Sequence, residues 1–212
     1  LCAREAAVAP ELPPSSPVIM ACSSRTWPSR VLLSAKSSSE AEADLRAQIE
    51  QVTAFLRREV PGYAHCRVKT TPATLGVRES RRVMGDYILT DADVENGARF
   101  DDVVVHKAWF LIDIHNPAGG GQAEGQSKMA KPYDIPYRCL LPKGIEGLLT
   151  AGRCISGTHR AHASYRVMAI CMATGQAAGT AAAIAAKEKS LPRAIPASKV
   201  QDALRKQGVQ LP

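Results

Sequence analysis

An α/β fold is what the sequence predicts, and three observations carry that prediction. Residues 148–151, LLTA, form a short apolar run stopped by Gly152, which reads as a buried strand. A polar, glycine-containing loop follows, and then an Ala, Met and Gly sequence from about Ser164 to Lys187 that is too long for a strand. Upstream, Leu45, Ile49, Val52 and Leu56 recur at helical spacing before Pro61 and Gly62, which predicts an amphipathic helix over 40–60. Strand, ligand-sized loop and helix thus form the central unit.

Taken in order, residues 1–38 are broken by prolines and serines and predict an extended arm. Within them, residues 20–36 are basic and lack Asp and Glu, a composition shared with organellar transit segments. Ser39 and Glu42 have capping-box spacing at the start of the first helix. Residues 63–71 return as a strand, and GVRESRR then crowds Arg78, Arg81 and Arg82 around Glu79 in a loop. A salt-bridged turn and a substrate-side cluster are both open there, since an unpaired buried Arg is costly. A short strand over 87–89 precedes a turn capped by Thr90 and Asp93. Residues 103–106 and 109–115 are β-compatible, and Asp113 and His115 alternate onto one side of a strand, where a carboxylate can fix an imidazole. A glycine-rich loop over 116–131 leads to a proline-bounded extended segment, 132–141, that carries Tyr137 and Arg138. The expected domain portions are 1–38, 39–141, 142–190 and 191–212, the last holding a short helix capped by Ser198.

Two features of the central helix point to a site. Gly175 and Gly179 leave a strip without bulk along which another backbone can approach. Ser164 as N-cap leaves the amides of Tyr165, Arg166 and Val167 free for an electron-rich group; the alternative is a core helix whose terminus meets only water. The run 167–186 is also apolar enough to raise a membrane span, but it is Ala- and Gly-rich and lacks a terminal aromatic anchor, so no span is expected.

Bulk composition narrows the classes. The chain has 212 residues, 45% hydrophobic, enough for one substantial core, and a net charge of +7. The basic residues are dispersed and aromatics make up only 5%, so no nucleic-acid face is expected. The cysteines at 2, 22, 66, 139, 154 and 171 show no CxxC pair or regular spacing, which favours free thiols in the cytoplasm or another reducing compartment, an organelle included. Cys154 beside the loop is either a packing residue or redox-active. No metal-ligand set is visible.

The segments GVRESRRVMGDYILTDADV (76–94), DIH (113–115) and YDIPYRCLLPKGIEGLLTAGRCISGTHRAHASYRVMAICMATGQAAGTAAA (133–183) resemble the C-terminal part of the FAD-dependent oxidoreductase family with a glutathione-reductase-like flavin fold. Some of its members go by the name xanthan lyase. The resemblance implies the C-terminal part of an FAD/NAD(P)-binding Rossmann-like fold with a β-rich substrate-domain portion, and FAD as cofactor. It implies cofactor contacts at Gly152, Arg153, Ser164, Tyr165, Arg166 and Val167, catalytic candidates His115, Arg78 and Tyr137, and substrate contacts at Arg81 and His159. Arg153 stands where related flavoproteins carry an acidic group. The GxGxxG unit that holds the ADP half of FAD in that family is absent from these residues. The expected partners are therefore a missing N-terminal FAD-binding segment or chain and a small-molecule substrate. A noncatalytic subunit and a polysaccharide-binding or lyase-type protein are the other classes this resemblance leaves open.

Overall fold

The computed structural model describes residues 18–20, 35–73, 76–79, 81–114 and 129–212, with side chains from residue 39 onward. Among these the chain divides into two units, one reaching to Val77 and one running from Arg78 to Pro212. The division falls well before residue 141, and residues on both sides of that position share a single core.

The first unit holds β1 (Val18–Met20), α1 (Ala35–Glu59) and β2 (Arg67–Thr70), with β1 and β2 paired in parallel. The helix begins four residues before Ser39, so that serine lies within α1 instead of capping it. Ala41 and Thr53 are its buried residues, whereas Val52 and Phe55 are more than half exposed. Past Glu59 the chain turns through Gly62, whose φ of +86° suits glycine, and Arg57 donates from Nε to the Cys66 carbonyl at 2.9 Å.

The second unit is built from α2 (Asp91–Asn96), β3 (Val103–Ala108), β4 (Tyr133–Pro136), α3 (His159–Tyr165), α4 (Met168–Lys187) and α5 (Ala197–Lys206). The predicted cap at Thr90 is present in full: its hydroxyl accepts from the Asp93 amide at 3.2 Å, and the Asp93 carboxylate accepts from the Thr90 amide at 2.8 Å. Reciprocal pairing of this kind satisfies two orphan amides at once. Antiparallel β3 and β4 register Val105 opposite Ile135 and Ala108 opposite Tyr133, with irregularities between the pairs. One irregularity falls at Lys107, a non-glycine residue at φ +54°. Its amide donates to the buried Asp134 carboxylate at 3.1 Å, beside donors from Arg99 at 2.7 Å and His106 at 2.8 Å. Three donors on one carboxylate oxygen thus hold a backbone conformation that L-residues rarely adopt.

Apolar side chains from every layer meet behind this pair, among them Leu89, Val104, Ile135, Leu140, Tyr165 and Leu204. The stretch 148–151 is not a strand, and the expected ladder is not formed among the described residues. The Thr150 amide donates to the Leu140 carbonyl at 2.9 Å. The long helix foreseen from Ser164 is two helices, because the backbone between α3 and α4 leaves the helical region at Val167, with φ −74° and ψ 152°. By length and composition α4 alone among the described helices could cross a membrane, yet a core helix passes that test equally. Ile170, Thr174, Ala177, Ala178, Ala181 and Ala185 are buried.

Close approach is needed at a glycine other than those expected. Gly175 and Gly179 face open space, with nothing within 4 Å of an added Cβ. At Gly157 an added Cβ would lie 2.7 Å from the Tyr165 ring, and that ring is held by full burial and by its hydroxyl donating to the Ile155 carbonyl at 3.0 Å. Gly157→Ala therefore destabilises the protein by about 1–3 kcal/mol through overpacking. Gly179→Ala, on an exposed helical face, leaves stability unchanged or raises it by up to about 1 kcal/mol. Urea melts of the two variants against wild type check both signs.

Candidate functional site

The turn after residues 148–151 is shaped by Gly152 at φ +72°, a conformation in which a side chain would be strained. Its amide donates to Thr174 Oγ at 2.8 Å, and that hydroxyl donates to the Cys171 carbonyl at 2.8 Å. One hydroxyl thereby ties the loop to the first turns of α4. Arg153, next in the short 3-10 helix Gly152–Cys154, donates from Nε to the Arg166 carbonyl at 3.3 Å.

Arg166 ends α3, its amide bonded to the His162 carbonyl. Its guanidinium donates to the Asp113 carbonyl at 2.6 Å and to the Asp113 carboxylate at 3.2 Å. The first-turn amides of Met168, Ala169 and Ile170 have no intrahelical acceptor, and Val167 supplies no side-chain cap to α4. The first ladder bond comes from the Cys171 amide to the Val167 carbonyl at 2.9 Å. Met168 and Met172 on the same end are 77% and 75% exposed, so this terminus opens outward.

This arrangement corrects several expectations. Ser164 is not an N-cap: it lies inside α3, fully buried, its hydroxyl donating to the Phe110 carbonyl at 2.8 Å and accepting from the Tyr133 hydroxyl at 3.1 Å. Tyr165 is a core residue. Only Val167 of the foreseen donors stands at a helix start, and the free amides lie at 168–170 because the chain stops and restarts its helix at 166–167. Gly152 and Arg153 do face that terminus.

Beside it lies a cluster of ionisable groups. Glu79 accepts from His159 Nδ1 at 2.8 Å and pairs with Arg82. Arg82 is itself anchored on the Gly157 carbonyl at 2.9 Å. His162 Nδ1 lies 3.8 Å from the same carboxylate, and neither ring nitrogen of this buried histidine has a hydrogen-bond partner among the described residues. Arg78 approaches Asp113 at 3.8 Å, which joins it to Arg166. Burial alone would raise the Glu79 carboxyl, but the His159 hydrogen bond and the His159, His162 and Arg82 charges together bring it down to about 2. Burial lowers His162 to about 4, with Glu79 opposing, so the ring is neutral near pH 7.

Arg78 and His159 of the foreseen residues are thus brought together, while Arg81 turns to solvent. Tyr137 is not part of the cluster. It is buried, its hydroxyl donates to the Pro192 carbonyl at 2.9 Å, and burial raises it to about 12, so the phenol keeps its proton and directs it at that backbone carbonyl. It lines a separate depression of about 570 Å³ with Arg99, Asp102, Arg138 and Arg193. His115 lies outside the described residues. Glu79, Arg82 and His162 were missed as site residues, although the Glu79/Arg82 and His159/His162 spacings of three were visible in the sequence. No group of three potential metal ligands occurs among the described residues.

A sequence profile described as FAD dependent oxidoreductase matches residues 14–204. The chain belongs to that family. No curated protein and no solved structure matches it. FAD-dependent oxidoreduction is the general activity that family membership brings, and the residues can be tested against it. Three amides without an acceptor among the described residues, a guanidinium and a glycine at which no side chain projects form a donor set suited to the electron-rich edge of a flavin. For the ADP half the described residues show no GxGxxG turn. The flavin oxidoreductase thus presents a fitting surface for one end of its cofactor.

The depressed His162 couples stability to pH. Between pH 6.5 and 4 the unfolded chain protonates residue 162 while the folded one does not, so the folded state loses stability as pH falls through that window, by about 1–3 kcal/mol. Guanidinium melts from pH 7 to 4 on wild type and His162→Gln check it: the variant's stability falls less steeply.

Proposed function

We propose that this chain supplies the flavin-facing and substrate-facing part of an FAD-dependent oxidoreductase whose grip on the ADP half of FAD comes from a GxGxxG-bearing segment or chain outside these residues. The observation that carries the reading is the open first turn of α4, with the amides of Met168, Ala169 and Ile170 set beside Gly152 and Arg153. When bound, FAD accepts a hydride or electrons from the substrate. The free amides and the α4 dipole favour the negative charge that gathers on the reduced ring by roughly 0.3–1 kcal/mol, about 2 where water is excluded. Arg153 adds a cation at the same edge and suits a phosphate or a reduced flavin better than the carboxylate of related proteins.

Two further features support a second segment. Residues 148–151 pair in no ladder among the described residues, and the adjoining face of α4, Met168, Met172, Gly175, Gly179 and Ala182, is exposed. A strand and helix arriving together would complete both. On the substrate side, Arg78 and the Glu79–His159 pair offer a cation and an oriented imidazole, suited to a small anionic or hydroxyl-rich molecule. Glu79 fixes the His159 ring through Nδ1, which leaves Nε2 to hold or release a proton.

The absence of GxGxxG favours one competing reading, a noncatalytic subunit that keeps the family core. FAD fluorescence titration separates the two. The chain alone binds FAD weakly, and addition of a strand–GxGxxG–helix part, fused or separate, gives tight binding that Arg153→Glu weakens at least tenfold. Submicromolar binding by the chain alone overturns the divided grip. No binding by the completed protein leaves the noncatalytic subunit.

A further inference from the structure

We propose that Cys154 and Cys171 are a redox-active thiol pair, closing to a disulfide when a small-molecule disulfide takes two electrons from them. The proposal goes beyond the flavin reading and does not rest on it. Cys154 ends the 3-10 helix that starts at Gly152, and Cys171 lies in the opening turns of α4. Thr174 bridges the two segments through one hydroxyl, from the Gly152 amide to the Cys171 carbonyl, each contact 2.8 Å. The position of a Cβ on Gly152 is 4.0 Å from the Cys171 Cβ, so the two segments are in van der Waals contact within two residues of Cys154. The Cys154 thiol donates to the Ala151 carbonyl of its own loop at 3.2 Å.

The two thiols differ in the way an attacking and a resolving thiol do. Cys154 is exposed and Cys171 half-buried, with its Sγ directed at the Tyr165 carbonyl at 3.7 Å. Burial raises the Cys171 thiol, while the Arg153 guanidinium opposes that rise and the Cys154 thiol adds to it; each thiol is within electrostatic reach of the other. The remaining described cysteines, Cys66 and Cys139, are buried, and burial pushes Cys139 up to about 12, which makes it inert.

The chemistry balances with a disulfide RSSR as oxidant. The Cys154 thiolate attacks one sulfur, forming a mixed disulfide and expelling RS⁻. The Cys171 thiolate then attacks Cys154 Sγ, forming the protein disulfide and expelling the second RS⁻. Two electrons pass from the protein to the oxidant, and the two thiol protons end on the released thiols.

Peptide mapping tests this on the whole 212-residue chain. The protein is reduced, freed of reductant, incubated at low concentration with oxidised glutathione, blocked with N-ethylmaleimide and digested with trypsin. The expected product is peptide 154–160 joined to peptide 167–187 within one chain, reversed by dithiothreitol. Cys171→Ser accumulates glutathione on Cys154 instead, and Cys154→Ser leaves Cys171 alkylated. In wild type, a lasting glutathione adduct on Cys154 beside alkylated Cys171, a link between two chains, or alkylation of both cysteines overturns the pair.

Discussion

The Arg166–Asp113 clamp is the interaction on which the site depends. A guanidinium that is 9% exposed reaches the carbonyl and carboxylate of Asp113, while the Arg166 carbonyl receives Arg153. Three stretches far apart in sequence are thereby fixed at the point where α3 stops. Burial works against this cation, pulling its proton affinity below the usual arginine range, with the Asp113 carboxylate opposing. A buried cation of this kind persists because it is paired and hydrogen-bonded. What the clamp secures is a helix interruption, without which the amides of residues 168–170 would be consumed by an unbroken ladder.

A second constraint acts from the other side of α3. Gly157 admits the Tyr165 ring, and the same glycine's carbonyl anchors Arg82, which fixes Glu79. Packing and electrostatics are thus joined at one residue. The carboxylate can stay charged beside a neutral buried imidazole because Arg82 and His159 satisfy it, and the imidazole stays neutral because burial outweighs the pull of that carboxylate.

Much of this was legible in the residues. The Thr90 and Asp93 cap, the presence of a helix at α1 and the Gly152 turn followed from local chemistry that needs only a few neighbouring positions. The break at 166–167 did not, because neither Arg nor Val is a breaker; it coincides with the contact of Arg166 on Asp113, more than fifty positions away along the chain. The charged turn around Glu79 was visible in the sequence, but His162 was hidden for a similar reason: its significance lies in its burial, and spacing alone does not report burial. Tyr137 misled in the opposite direction, since a tyrosine in a polar-looking segment proved to send its hydroxyl into a backbone contact.

The bare face of α4 has a consequence for how that helix breathes. Gly175 and Gly179 carry no side chain, and among the described residues no neighbouring element comes within 4 Å of an added Cβ at either position. Water reaches those peptide groups, while Ala177, Ala181 and Ala185 lie dry on the opposite side. Solvated helix bonds open more readily than dry ones. Amide exchange along α4 thus follows the helical period, fast on one side and slow on the other, and anything that settles on the bare side levels the two.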